Sequence, residues 1–569
     1  MQPRNGAEWI VLGERHLARG ETVRAATCYE WAARLEPGVA AHWARLGKVH
    51  LAQRKYDAAE AELSRACMLE PKGGYWQVLL AHALREQNQA EAALDACHRA
   101  LRCNPEDVHA AVAEALMLPP IYSSCHELRV WRERFASGVE RLHSGVRRWL
   151  RHPRRILDLE WHNFLLAYQG ENDLELQTRY SSFVAALLAS AADELRNSPV
   201  RERGAGDRIR IGFVSSEFRH CTVGHYFLHW VTDLPRDRFH VTTLHAGHFV
   251  DEQTGEFERG SDDFARLTGR PDAMATAIRQ RNFDVVVLPD VGMSANSVLL
   301  SNVRLAPVQC AAWGHPVTTG SRFVDYFITC AEMEPRNAQS HYGEKLIALP
   351  GIGVRYRMPA VPPPGERSQF GLPESSRIYV CPHALQKIHP EMDDLLVDIV
   401  TRDESAVLLF FAAPAPGQTR AFLSRIERAL REHGVVRRQQ IKLLPQMTRD
   451  NFLRAMSLCD VMIDTVHWSG GSTTLDALAC ALPVVTLEGR FMRGRQTAAM
   501  LRLIDLEESI ALDRESYVSL ALRLARDAGY RAAVSERIRR GWAKLFDRSE
   551  PVAALANALE QAVLQRFEA

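Results

Sequence analysis

Between Cys459 and Gly489 the chain reads CDVMIDTVHWSGGSTTLDALACALPVVTLEG, and its polar residues are spaced to hold an anion. An apolar run, Val461 to Ile463, stops at Asp464; Gly470-Gly471 follow, Ser472 and Thr473 open a helical segment, and Pro483 starts a second apolar run. Adjacent glycines let the backbone approach a ligand closely. Ser472 and Thr473 are expected to cap a helix whose first N–H groups carry partial positive charge, a place suited to phosphate. Asp476, one turn in, is placed to accept from the hydroxyls of a ribose. Neither G-x-G-x-x-G nor G-x-x-x-x-G-K-[ST] is present, so the two common nucleotide fingerprints are missing. Read alone, the stretch serves equally as a capped helix between two buried strands.

Other polar groups gather at the ends of similar apolar runs. Ser215 to His225 follow RIRIGFVS, Asp290 ends DVVVLPD, His315 to Gly320 follow PVQCAAWG, His383 to Lys387 follow RIYVCP, and Gln446-Met447 follow IKLLP. Short apolar segments alternating with helical ones predict parallel α/β sheets. One series starts at Asp207; a second follows the Pro-rich joint Met358 to Ser376. Two Rossmann-like halves of about 150 to 200 residues would form a cleft, with ligands outside the carboxyl ends of the strands.

The N-terminal part repeats. Pro37, Pro71 and Pro105 are 34 residues apart, as are Ala25, Ala59, Ala93 and Ala32, Ala66, Ala100. With Trp9, Leu12, Gly13, Tyr29 and Trp43, Leu46, Gly47, Leu63, this is the tetratricopeptide pattern of two helices per repeat. Such a solenoid offers a concave face to a peptide or partner protein. From Glu106 to about Asn197 the sequence stays helical outside that period, with Leu128, Trp131, Phe135, Val139 and Leu142 as a core stripe. The expected division is 1–105 repeats, 106–206 helical linker, 207–358 first Rossmann-like domain and 359–569 nucleotide-sugar-binding domain.

Composition narrows the function. Lys+Arg 70 against Asp+Glu 69 gives a net charge of +1 over 569 residues, which supplies no general attraction for nucleic acid or anionic membrane. No run approaches a bilayer span, and the start lacks the features of a signal peptide. Eleven cysteines without a C-x-x-C pair point to reduced thiols. A soluble, cytoplasmic protein is expected.

Five segments together resemble the O-linked N-acetylglucosamine transferase and SPINDLY family, two-Rossmann GT-B glycosyltransferases with N-terminal tetratricopeptide repeats. They are VSSEFRHCTVGH (Val214 to His225), RLAPVQCAAWGHPVTTGSRFVDY (Arg304 to Tyr326), YGEKLIALP (Tyr342 to Pro350), FGLPESSRIYVCPHALQKIHP (Phe370 to Pro390) and DTVHWSGGSTTLDALACALPVVTLEG (Asp464 to Gly489). The resemblance implies an inverting transfer of sugar from a UDP-sugar to a protein side chain. It implies that Lys387 contacts the donor diphosphate, that Gly470, Gly471, Ser472 and Thr473 cradle it, that Asp476 binds the ribose, and that Gln446 and Met447 hold the base. A Lys and a helix N-terminus can stabilise the charge of a departing nucleoside diphosphate. His220 resembles a histidine near the sugar and is a candidate general base; Asp290 or a water relay is the alternative. His225, His315 and Trp468 are expected around the sugar.

The sequence also departs from the family. Gly471 replaces a histidine of a G-H-T-T run, His315 a tyrosine, and Trp468 a much smaller residue beside the N-acyl pocket. The Trp468 side chain would close that pocket, which favours a plain hexose such as UDP-glucose. No D-x-D or H-E-x-x-H occurs, so no metal and no other cofactor is expected. Competing readings are a nucleotide-sugar epimerase, a GT-B enzyme for a lipid or glycan acceptor, and a repeat scaffold with an inactive transferase body. The oligomeric state stays open.

Overall fold

The computed structural model describes residues 3–191, 206–435 and 440–568. Six helices open it: α1 (Gly6–Ala18), α2 (Thr22–Leu35), α3 (Ala40–Ala52), α4 (Tyr56–Leu69), α5 (Gly74–Glu86) and α6 (Ala90–Cys103). The starts of α1, α3 and α5 are 34 residues apart, as are those of α2, α4 and α6, and Gly20, Arg54 and Asn88 keep the same interval as the left-handed residue of each turn. The two alanine series are fully buried where the helices meet. Small side chains there allow close approach. A Cβ on Gly13 or Gly47 would overlap Tyr29 or Leu63 of the paired helix. Helices α1 and α2 with Leu46 and Val49 of α3 form one apolar cluster, whereas Ala44 and the buried residues from α4 onward belong to a core that runs on into the rest of the chain.

Helices α7 (Val108–Ala115), α8 (Cys125–Ser144) and α9 (Leu174–Ala191) follow. α8 buries the stripe read from the sequence and is capped by Ser124, which accepts from the N–H of Glu127. The expected boundary near Asn197 lies outside the described residues.

Two all-parallel sheets come next. The first holds β1 (Ile209–Ser215), β2 (Phe239–His245), β3 (Asp263–Arg266), β4 (Val285–Leu288), β5 (Val308–Ala312), β6 (Tyr326–Cys330) and β7 (Lys345–Leu349) in the order β3-β2-β1-β4-β5-β6-β7. The second holds β8 (Arg377–Val380), β9 (Ala406–Phe411), β10 (Ile441–Leu444), β11 (Val461–Ile463), β12 (Val484–Leu487) and β13 (Ile510–Ala511) in the order β10-β9-β8-β11-β12-β13. In both, strand order reverses beside the first strand, which opens a crevice between β1 and β4 and between β8 and β11. β3 and β13 escape sequence reading because one is a half-exposed edge and the other has two residues. The closing helix Glu550–Glu568 returns to the first sheet: Arg238 there pairs with Glu560 and donates to Asn557 Oδ1 at 3.1 Å. Among the described residues no helix is long and apolar enough to cross a membrane.

Candidate active site

The crevices of the two sheets face each other, and the loops after β1, β8 and β11 meet between them. At the end of β11, fully buried Asp464 accepts from the N–H of Gly470 at 2.8 Å and from the Thr486 hydroxyl at 2.7 Å. Its carboxylate also lies 3.0 Å from His383 Nε2, on the loop after β8. The other ring nitrogen of His383 is 3.2 Å from Thr473 Oγ1. Burial lowers the His383 pKa, against the opposing pull of Asp464. One carboxylate thus fixes the Gly-Gly turn to both strands flanking the crevice.

Ser472 does not cap the helix Ser472–Ala479. Gly471 occupies the cap position and has no side chain to offer, so no side chain caps the first N–H groups. The helix Thr222–Thr232 of the first lobe also starts without a side-chain cap, at Cys221. Thr222 Oγ1 and Ser472 Oγ are 3.1 Å apart, so two helix N-termini converge from opposite lobes. Free N–H groups and aligned dipoles at such ends favour an anion.

Lys387 ends the short turn Leu385–Lys387 after β8, with Nζ 5.5 Å from the centre of the Trp468 ring. Burial pulls its pKa down to about 8, with Asp464 opposing. A cavity of about 640 Å³ on one side is lined by His220, His225, Gln446, Met447, Arg449 and Ser472 among others. A second space of about 250 Å³ is lined by Lys387, Trp468, Tyr168, Gly471, Tyr226 and Ser472 among others. The first is of a size for a nucleoside, and the second adjoins it through Ser472.

Several expected residues stand elsewhere. Asp476 is buried against Arg449, Nη2 to Oδ1 2.6 Å, and lines neither space; Arg449 faces the larger cavity in its place. Burial raises the Asp476 pKa to about 6 although Arg449 pulls it down. Asp290 is 0% exposed beneath Gly314, takes a hydrogen bond from Ser215 Oγ at 2.8 Å, and has its pKa raised to about 7 by burial. It lines neither space, which leaves exposed His220 as the better-placed candidate base. His225, His315 and Trp468 do not form one pocket. His225 faces the larger cavity, Trp468 packs against Tyr168 (4.3 Å between centres, rings tilted by 39°) in the smaller, and buried His315 sits behind Phe164.

Sequence reasoning placed Asp464 and His383 at strand ends without giving them a role, and named no role for Arg449, Tyr168 or Tyr226. Asp464 and His383 were visible as polar residues ending apolar runs; Tyr168 and Tyr226 lie inside apolar stretches and gave no signal. Cys125, far from the other two in sequence, joins His389 and Glu391 to bring three potential metal-ligand atoms within 4.8 Å of one another, but they border neither space.

The sequence profile of glycosyl transferase family 41 matches residues 162–354 and 356–554. The chain is 25% identical over 355 residues to the probable UDP-N-acetylglucosamine–peptide N-acetylglucosaminyltransferase SEC of Arabidopsis thaliana, covering 60% of this chain and 35% of that protein. It is 29% identical over 261 residues to the probable enzyme of the same description, SPINDLY, of Solanum lycopersicum, covering 45% and 27%. The chain thus spans about a third of the length of these curated relatives. Its fold is similar to that of a mutant of the Thermobaculum terrenum O-GlcNAc transferase, with a TM-score of 0.73 at 24% identity over 100% of this chain and 99% of that one.

Proposed function

The chain belongs to glycosyl transferase family 41, and we propose that it moves a sugar from a UDP-sugar, UDP-hexose or UDP-N-acetylglucosamine, to a protein side chain with inversion. One observation carries the reading: two uncapped helix N-termini, the Gly-Gly turn and Lys387 border one cleft. The diphosphate lies across Gly470 to Thr473 with Lys387 beside it, the base reaches Gln446 and Met447, and the sugar enters the space beside Trp468. Arg449, whose partner is Asp476, meets the ribose. As the bond from the anomeric carbon to the β-phosphate oxygen breaks, its electron pair stays on the phosphate, where Lys387 and the helix ends stabilise it. The acceptor oxygen or nitrogen bonds to the anomeric carbon from the face opposite the leaving diphosphate, and its proton passes to His220 or is relayed by a water. The repeats present the acceptor. The similarity to SEC and SPINDLY, both described as peptide N-acetylglucosaminyltransferases, supports a protein acceptor. Eleven free thiols, six of them buried, fit a reducing compartment, and we place the protein in the cytoplasm.

Incubation with UDP-glucose or UDP-N-acetylglucosamine and a peptide library, read by mass spectrometry, separates the alternatives. Sugar on a peptide supports the proposal. Interconversion of donor sugars without transfer favours an epimerase, transfer only to lipid or glycan favours another GT-B acceptor, and an inert body leaves a scaffold.

Two further outcomes are expected. Lys387 and the helix ends supply the charge a divalent ion would otherwise provide, so EDTA should leave turnover intact, and a strict need for Mg²⁺ or Mn²⁺ would contradict this. Trp468→Ala opens the wall beside Tyr168 and should raise the kcat/KM ratio of UDP-N-acetylglucosamine over UDP-glucose at least about tenfold. An unchanged ratio removes Trp468 as the selector.

A further inference from the structure

The Gly-Gly turn is closed from the opposite lobe by a tyrosine. Tyr226 stands one turn into the helix Thr222–Thr232 and is only 4% exposed. Its ring is fixed by Trp313 at 6.5 Å and Tyr356 at 5.6 Å between centres. Among the described residues the hydroxyl has no hydrogen-bond partner. It points at Gly471: a Cβ there would overlap the Tyr226 oxygen and come within 3.0 Å of Gln496 Oε1. Tyr226, Gly471, Ser472 and Lys387 border the same space.

A buried hydroxyl without a partner is costly, and native structures rarely keep one without a use. This one is held rigidly beside the free N–H groups of the helix Ser472–Ala479, where a phosphate oxygen would accept from it. Alanine or any larger residue at 471 would push the ring away, so Gly471 and Tyr226 form a matched pair. On the premise of the proposed function, we propose that Tyr226 of the first lobe donates a hydrogen bond to the diphosphate seated on the Gly470 to Thr473 turn of the second lobe. The hydroxyl keeps its proton throughout. It binds the diphosphate in the donor and in the product, and it ties diphosphate binding to the contact between the two lobes.

The test is titration calorimetry of full-length wild type, Tyr226→Phe, Gly471→Ala and the double variant, with UDP and GDP, and with uridine and guanosine as phosphate-free controls. Phenylalanine keeps the ring packing. Tyr226→Phe should weaken binding of the diphosphate that the wild type prefers about 10- to 100-fold, the usual effect of losing a hydrogen bond to a charged group. Its affinity for the matching nucleoside should not change. Gly471→Ala should weaken diphosphate binding in the wild type and cost much less when Tyr226 is already phenylalanine, because the overlap is gone. If the wild type binds a diphosphate and Tyr226→Phe binds it equally well, or loses the nucleoside to the same degree, the role of Tyr226 is overturned while the proposed function stands. If neither diphosphate binds the wild type, both fail.

Discussion

Lys387→Ala is expected to lower kcat about 100- to 1000-fold, the scale for removing one preorganised group that meets charge developing in the transition state. Among the described residues no ion pair occupies its ammonium, which sits half-buried against the Trp468 ring and is poised for an anion. Burial holds its pKa near 8, so the sign of the pH effect follows. Below that value the group is a cation and the site is complete. Above it the charge is lost, and kcat/KM, which reports the free enzyme, should fall as pH rises through about 8. Lys387→Arg does not titrate in this range and should keep what activity it has to higher pH. An alanine variant retaining more than about a tenth of kcat, or an alkaline limb unchanged in the arginine variant, would remove Lys387 from the mechanism.

Asp173→Ala is expected to destabilise the protein by about 3–5 kcal/mol, because it removes the only carboxylate that both buried Arg493 and half-buried Arg132 pair with among the described residues. The Asp173 carboxylate is fully buried between Arg132 of α8, at 3.0 Å, and Arg493, at 3.3 Å. It therefore joins the helical region to the second lobe. The consequence reaches the site, since the carbonyl of Arg493 accepts from the N–H of Ser469 at 2.7 Å, one residue before the Gly-Gly turn. Urea unfolding should show a lower midpoint, with weaker diphosphate binding by the folded fraction. Asp173→Asn should fall between alanine and wild type. A loss under about 1 kcal/mol would mean that the two arginines find other partners.

The two-sheet body and the repeats were legible because their signals are periodic: the alanine series mark helix contacts, and the apolar runs ending in polar residues mark strands and their carboxyl ends. The Gly-Gly turn and the helix that follows it were legible for the same local reason. What could not be read depends on the third dimension. Asp476 carries the same side chain whether it faces a ribose or, as here, Arg449 from a helix 27 residues earlier. Asp290 looks like a strand-end carboxylate, yet Gly314 of the next strand's loop covers it. Tyr226 sits in an apolar helix where its hydroxyl is invisible to any pattern, and only the opposing lobe gives it a role. Cys125 and His389 are separated by 264 positions and meet only because α8 packs near the loop after β8.

Ligand-induced thermal stabilisation of wild type and Lys387→Ala with UDP, GDP, UDP-glucose and UDP-N-acetylglucosamine tests the donor site most directly. At a hundredfold excess over Kd a ligand adds about 2.7 kcal/mol, or about 5–11 °C for a domain of about 150–250 residues. The account predicts that UDP ligands shift the wild type and shift Lys387→Ala much less, with UDP-glucose ahead of UDP-N-acetylglucosamine. Failure of every nucleotide to move the wild type would contradict it.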